Sequence, residues 1–284
     1  MLDYPSGVSL NSPPVKIAAY LEDAGEDPLA ACRVLQEVGI KNVVLRHVWT
    51  SNIKDLSDNG CTKLRKILDD HGMTPVAIIS TIGDVPATEL GHVSSEAFDR
   101  TFNLAAYFKA PMIGLTCGLQ VPGKADQQIS DWMYSIQQKS VALNLLPLVE
   151  ITTKSYLFNA VDVVVVLNKF SRIKLLYDPT QLIIRQNIDP FVKYWTLLKG
   201  YVGAIDVCDY KIGRGYKPAG FGDTNIARTI ADAVQSRFGG WFFFEPSLGR
   251  RHGTAYTKSD VFRSALSAFN RILSIPTDSG ISQK

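Results

Sequence analysis

The chain has 284 residues, of which 46% are hydrophobic and 20% are charged, and its formal net charge is +3. This amount of apolar material excludes a wholly disordered protein, and the mild, scattered positive charge does not indicate a nucleic-acid partner. No apolar run reaches the roughly 18 residues of a membrane span, and the N-terminal sequence lacks the features of a secretory signal. We therefore expect a cytoplasmic protein without a membrane partner, and its four separated cysteines to be reduced thiols.

The apolar pattern predicts eight strands that alternate with eight helices. The predicted strands are Val15–Tyr20, Asn42–Val48, Thr74–Ser80, Pro111–Cys117, Leu145–Thr152, Ile173–Asp178, Val202–Asp209 and Gly240–Glu245. The predicted helices are Pro28–Val38, Cys61–His71, Glu96–Phe108, Gln127–Leu143, Tyr156–Phe170, Pro190–Leu198, Asn225–Arg237 and Lys258–Leu273. β-Branched and aromatic runs indicate the strands, and apolar residues at three- and four-residue spacing indicate the helices.

Strict alternation of strand and helix predicts parallel strands joined by right-handed crossovers, and eight such units close a (β/α)8 TIM barrel. A doubly wound open sheet is the alternative. The glycine-rich dinucleotide fingerprint of many such sheets is absent after the first strand, where the sequence reads AAYLEDAGED. We predict a single α/β domain over residues 1–284, with the barrel core at about residues 15–273, a short N-terminal extension and a flexible C-terminal tail.

The last four predicted strands each present a carboxylate near their C-terminal end: Glu150 in LLPLVE, Asp178 in IKLLYD, Asp206 in VGAID and Glu245 in WFFFE. Barrels carry their chemistry at this end of the strands, so the four side chains should converge at one mouth. Their repulsion would raise the pKa of at least one carboxyl group. A divalent cation relieves the repulsion, and an all-oxygen ligand set favours Mg2+ or Mn2+. The alternative is that they are solvated acids paired with nearby Lys or Arg.

Alternation along the last strand sharpens this prediction, because successive side chains of a strand point to opposite faces. If Glu245 points into the barrel, then Phe243 and Trp241 do so too. Phe242 and Phe244 should then face the surrounding helices.

The motifs resemble the xylose-isomerase-like barrels, a superfamily of sugar isomerases and epimerases, inosose dehydratase and endonuclease IV. The matching pieces are LPLVEIT, LLYDPTQ, AIDVCD with the following GFGD, FFFEP, KNVVLR and LRKILDDHGMTPVAI, and the resemblance runs roughly from Val15 to Leu273. The resemblance implies one metal ion. Its implied ligands are Glu150, Asp178, Asp206 and Glu245.

Three positions depart from the family pattern. Asp206 stands where the family usually has a histidine, and Gln181 replaces a second usual histidine. Cys208 replaces a usual lysine, although the following Asp209 is kept. An aspartate ligand makes the site harder and more negative, so a descendant that has lost its metal is one alternative to consider.

The resemblance implies that Glu150 and Glu245 also move the substrate proton. We predict a metal-dependent isomerase or epimerase of a keto-sugar or sugar phosphate, in which a carboxylate removes a proton next to a carbonyl group. One alternative is a dehydratase or lyase acting on a keto-sugar or an inosose. Another is a non-catalytic sugar-binding barrel. The endonuclease branch is not favoured, because its multinuclear zinc cluster needs more histidines.

Four further residues are candidate contacts of a small sugar substrate. Arg46 ends VVLR, where related barrels carry an arginine near the mouth, and Gln181 follows the strand-six aspartate. Lys211 begins the glycine-rich segment KIGRGYKPAGFGD, which we expect to be an ordinary flexible loop, and Arg250 lies in PSLGRRHG after the last strand. The family also implies a homodimer or homotetramer.

Overall fold

The structure is a computed structural model that describes residues 15–246 and 257–274. Eight parallel strands close a barrel: β1 (Lys16–Tyr20), β2 (Asn42–Leu45), β3 (Thr74–Ile79), β4 (Met112–Thr116), β5 (Leu146–Glu150), β6 (Lys174–Tyr177), β7 (Val202–Val207) and β8 (Trp241–Phe244). β1 pairs with both β2 and β8, which completes the circle. The predicted (β/α)8 barrel is therefore confirmed, and each strand lies inside its predicted bounds.

Helices surround the strands at Leu21–Ala24, Pro28–Glu37, Asp58–Asp70, Ser95–Tyr107, Asp126–Ala142, Ala160–Lys169, Pro179–Gln186, Thr196–Leu198, Ile226–Gln235 and Lys258–Leu273. A π-helical turn, Phe191–Trp195, leads into Thr196–Leu198. The sequence interpretation missed the helix Pro179–Gln186. Its start signal is present, because Asp178 caps the helix and Pro179 occupies its first position. The helix predicted from Tyr156 begins only at Ala160, because the Asn159 side chain caps it there.

Two apolar clusters pack on the two sides of the strands. The inner cluster fills the barrel with residues such as Leu148, Leu176 and Phe243, and Trp241 packs against it. Phe242 and Phe244 belong to the outer cluster between the strands and the helices. The predicted alternation along β8 is thus confirmed. Full burial of each of these side chains contributes roughly 1.5–3 kcal/mol.

A two-stranded hairpin, Asp209–Lys211 with Gly215–Lys217, stands over the C-terminal end of β7. The Asp209 carboxylate anchors the returning chain by accepting backbone N–H groups of Gly222 (2.8 Å) and Thr224 (3.2 Å). A Cβ at Gly222 would collide with that carboxylate, so only glycine fits there. The segment expected to be an ordinary flexible loop is therefore a hairpin, since the retained Asp209 holds both of its ends.

The four cysteines are buried and free, as the sequence predicted. None of the helices in the described residues combines the length and the apolar character needed to cross a bilayer.

Candidate active site

The four predicted carboxylates lie together at the C-terminal ends of β5 to β8. Glu150 is the last residue of β5, Asp178 and Glu245 directly follow β6 and β8, and Asp206 lies in β7. Asp178, Asp206 and Glu245 are buried, and Glu150 is partly buried. Each lies one alternation step beyond an inner-cluster residue of its own strand. The barrel thus gathers four acidic groups at one mouth.

Asp206 lies deeper in the barrel than the other acids. The strand register pairs Asp206 with Phe243, so Asp206 lies two residues below the level of Glu245. At this depth the hydroxyl of Tyr20 donates a hydrogen bond of 2.9 Å to Asp206 Oδ1. Asp206 therefore already has a partner inside the barrel.

Asp178 is held by hydrogen bonds to both of its oxygens. The backbone N–H (2.8 Å) and the hydroxyl (2.6 Å) of Thr180 donate to Oδ1. The amide of Gln181 donates to Oδ2 at 3.1 Å, while its own oxygen accepts the backbone N–H of Thr153 at 3.0 Å. Gln181, a predicted substrate contact, thus orients Asp178 in this structure.

The guanidinium of Arg46 is the cation that faces these acids within the described residues. Its Nη2 lies 2.6 Å from Glu245 Oε1, and its Nε donates to Glu22 Oε1 at 2.8 Å. The guanidinium carbon stacks 4.1 Å above the ring of Tyr20. Burial alone would lower the pKa of Arg46, but Glu245 and Glu22 outweigh burial and raise that pKa, so Arg46 stays charged. Sequence reasoning missed Tyr20, the last residue of β1, and Glu22, which follows it, although both stand in AAYLEDAGED.

Burial and mutual repulsion raise the pKa values of three of the acids. The pKa of Glu150 rises to about 7, first because Glu150 loses solvent and then because Asp178 and Glu245 are near. Burial and the nearby Glu245 also raise the pKa of Asp178. The pKa of Asp206 is raised by the same two causes. Arg46 opposes the shifts at Glu150 and Asp206 without cancelling them. Within residues 15–246 and 257–274, the mouth therefore gathers more carboxyl groups than the guanidinium of Arg46 can neutralise.

Cys208 joins this group from the end of β7. Its Sγ donates to Asp178 Oδ1 at 3.2 Å, and its side chain is buried. One ligand atom each from Asp178, Cys208 and Glu245 lies within 4.8 Å of the other two. Two carboxylates and a thiol at this spacing suit a divalent cation, so the residues present fit a metal site. The sequence interpretation considered Cys208 only as a replaced lysine.

The remaining candidate contacts lie farther from the acids or outside the described residues. Lys211 forms an ion pair with Asp223 within the hairpin segment. Tyr216, which sequence reasoning did not consider, lies near Thr180 and Asp178, and its burial together with Asp178 raises its pKa. Tyr216 therefore covers the acids from the hairpin. Arg250 lies outside the described residues.

No protein-family model matches the chain, and no curated protein matches it significantly in sequence. Solved structures do match in fold. A xylose isomerase-like TIM barrel protein from Mycobacterium smegmatis in complex with magnesium is 14% identical, with a TM-score of 0.67 and coverage of 94% of this chain and 98% of that chain. The 3-keto-D-glucoside 4-epimerase from E. coli is 14% identical, with a TM-score of 0.69 and coverage of 91% and 99%.

An IolI protein with a zinc atom is 12% identical, with a TM-score of 0.71 and coverage of 92% of this chain and 98% of that chain. These three structures share one architecture with this chain over more than nine-tenths of its length. The resemblance read from the motifs is thereby confirmed for the fold, which is that of the xylose-isomerase-like TIM barrels.

Proposed function

We propose that this chain is a metal-dependent isomerase or epimerase of a keto-sugar or sugar phosphate. The observation that carries the proposal is the convergence of Glu150, Asp178, Asp206 and Glu245 at one barrel mouth, which the guanidinium of Arg46 faces. The names of fold neighbours support the same class, since one is a 3-keto-D-glucoside 4-epimerase and another a D-allulose 3-epimerase.

The metal ligands would come from the four carboxylates, of which Asp178 and Glu245 lie at ligand spacing together with Cys208. The chemistry that a divalent cation supplies at such a site is stabilisation of negative charge on a substrate carbonyl oxygen. If only carboxylates bind the cation, Mn2+ or Mg2+ is the expected ion. A thiolate ligand from Cys208 would shift this preference toward softer ions.

Glu150 is the better placed of the two proposed bases. Its pKa is raised to about 7 without metal, and a bound cation would lower it again, which leaves the carboxylate available as a base. The described residues also give the Glu150 carboxylate no hydrogen bond and no ion pair, so it is free to meet a substrate. Glu245 ends the strand three positions further round the barrel and can face the same substrate from another side. Two such bases, one on each face of a substrate carbon, are the minimum for inverting the configuration of that carbon.

Two other functions share parts of this site. A dehydratase or lyase would use the same proton removal but expel a hydroxyl or glycosyl group from the neighbouring carbon. A sugar-binding barrel without metal is favoured by two contacts that use up carboxylates, namely Arg46 with Glu245 and Tyr20 with Asp206. In that case Arg46 would remain the resident cation of the mouth.

Proton exchange separates these functions. The purified protein is incubated in D2O with a panel of keto-sugars, sugar phosphates and inososes, with and without added Mn2+ or Zn2+. An isomerase or epimerase incorporates deuterium at the carbon beside the carbonyl, whereas a lyase releases an unsaturated product. Binding of a sugar without any exchange would support the non-catalytic barrel and overturn the enzymatic proposal.

A homodimer or homotetramer in the cytoplasm remains a prediction. Analytical sedimentation measures the number of subunits in the assembly.

A further inference from the structure

Cys208 lies level with Glu245, nearer the mouth than Asp206. The register aligns Phe243 with Asp206 and Phe244 with Val207, so the next step along both strands brings Glu245 beside Cys208. The backbone N–H of Glu245 donates to the carbonyl oxygen of Val207 at 3.3 Å, which continues the pairing to this level. Because side chains alternate, Cys208 points to the same face as Asp206, one step closer to solvent.

We propose that Cys208 is a ligand of the divalent cation, together with Asp178 and Glu245, and that this mixed site takes Zn2+ or Co2+ in preference to Mg2+ or Mn2+. The inference rests on the proposed metal-dependent function. It changes the expected ion, since thiolates favour softer metals than carboxylates do.

The distances agree with shared coordination. Zinc–sulfur and zinc–oxygen bonds of about 2.3 and 2.0 Å at a tetrahedral angle separate sulfur from oxygen by about 3.5 Å. Sγ of Cys208 lies 3.2 Å from Asp178 Oδ1, and the third ligand atom, from Glu245, is within 4.8 Å of both. Small side-chain adjustments would bring these atoms around one ion. Asp206 instead contacts Tyr20 below this level.

Coordination by Cys208 also balances chemically. The S–H bond breaks, the sulfur contributes its electron pair to the ion, and the proton leaves to solvent; nothing is oxidised or reduced. Asp178 already accepts the thiol proton in a hydrogen bond, which gives the proton a path away from the sulfur. The other proposed carboxylate ligand, Glu245, is held near the site by its ion pair with Arg46.

Cobalt spectroscopy tests the assignment without any activity assay. The full chain is titrated with Co2+, and the thiolate-to-cobalt charge-transfer absorption is measured in the near ultraviolet. The matched variants are Cys208→Ser and Cys117→Ser, since Cys117 is equally buried but belongs to the outer cluster. We expect the absorption in the wild type and in Cys117→Ser, and its loss in Cys208→Ser.

Affinities give the second measurement. Zn2+ binds more tightly than Mn2+ at most sites, so the ratio of the two affinities in wild type and variant is compared rather than the order alone. Loss of a group that merely supports a ligand costs 10–100-fold in metal affinity, so loss of Cys208 should cost at least about tenfold for Zn2+. Loss of Cys208 should weaken Mn2+ binding much less. The Zn2+ affinity relative to the Mn2+ affinity should therefore be smaller in Cys208→Ser than in the wild type.

The outcomes distinguish this inference from the function on which it rests. Tight Co2+ binding by the wild type without charge-transfer absorption would overturn Cys208 as a ligand and leave the metal-dependent function standing. Failure of every ion to bind would overturn both. Because absence of the absorption in the wild type already overturns Cys208 as a ligand, the inference can be refuted even if Cys208→Ser does not fold.

Discussion

The strand ends of the first and second halves of the barrel use polar side chains in opposite ways. After β3 and β4, Ser80 accepts the backbone N–H of Ile82 at 3.1 Å, and Thr116 donates to the carbonyl oxygen of Ile82 at 3.0 Å. Trp132 closes the arrangement by donating to the carbonyl oxygen of Thr116 at 3.0 Å. These groups satisfy one another. After β5 to β8, in contrast, the polar groups are acids that repel one another.

The comparison shows that polar groups at the ends of β3 and β4 stabilise the structure, whereas the acids at the ends of β5 to β8 are candidates for function. A buried polar group whose hydrogen bonds are all formed costs the fold little free energy and stabilises the loop to which it is bonded. Buried acids with raised pKa values cost stability unless a cation or a proton compensates them. The first half also supplies partners for two of these acids, since Arg46 follows β2 and pairs with Glu245, and Tyr20 ends β1 and donates to Asp206.

Replacing the proposed base should abolish proton exchange at the mouth formed by β5 to β8 and leave the fold intact. Glu150→Gln keeps the shape of the side chain but cannot accept the substrate proton. We expect the rate of deuterium exchange to fall on the order of 100- to 10,000-fold, the usual contribution of a general base. Glu96→Gln, on an exposed helix start, is the control and should exchange at the wild-type rate. A fall of less than about tenfold in Glu150→Gln would remove Glu150 from the mechanism.

Removing the shared cation should destabilise the mouth. Arg46→Met leaves the buried Glu245 and the partly buried Glu22 without the guanidinium that pairs with both, which should lower the free energy of unfolding by about 3–5 kcal/mol. Arg263→Met removes an exposed pair with Glu37 and should cost less than about 1 kcal/mol. Urea denaturation of both variants measures the difference, which should shrink when a divalent cation is added. Equal costs in the two variants would show that Arg46 does not neutralise the acids.

Stability of the metal-free protein should fall as pH rises. The pKa of Glu150 is raised from 4.5 to about 7 in the folded state, so its contribution is complete below about pH 4.5 and is lost as pH rises through about 7. The loss is roughly 3 kcal/mol for this shift. Unfolding is followed in a chelator at about pH 5 and about pH 8. Glu150→Gln is the control and should reduce this change, while Asp178 and Asp206 keep their own contributions. A wild-type slope equal to that of the variant would contradict the raised pKa.

The sequence could predict the barrel and its acidic mouth because both follow from local pattern. Alternating strands and helices define the fold, and a carboxylate at the end of a strand can be read directly, as for Glu150 and Asp178. The pairings between strands could not be predicted, because the stagger of a closed barrel is a property of all eight strands together. That stagger sets Cys208 rather than Asp206 beside Glu245. It also brings Arg46, distant in sequence, to the same carboxylate.

The smallest expected effect tests the depth of Asp206. Tyr20→Phe removes the hydroxyl that donates to Asp206 Oδ1 at 2.9 Å and should lower the free energy of unfolding by roughly 1 kcal/mol. Thr116→Val removes a buried hydrogen bond of the first half and should cost about the same. The two variants should also bind Co2+ equally, because Asp206 lies two residues below the level of Glu245 and Cys208. Isothermal titration measures both affinities. If Tyr20→Phe alone changes Co2+ affinity by more than about tenfold, Tyr20 controls a metal ligand, and Asp206 belongs to the coordination set that the sequence first predicted.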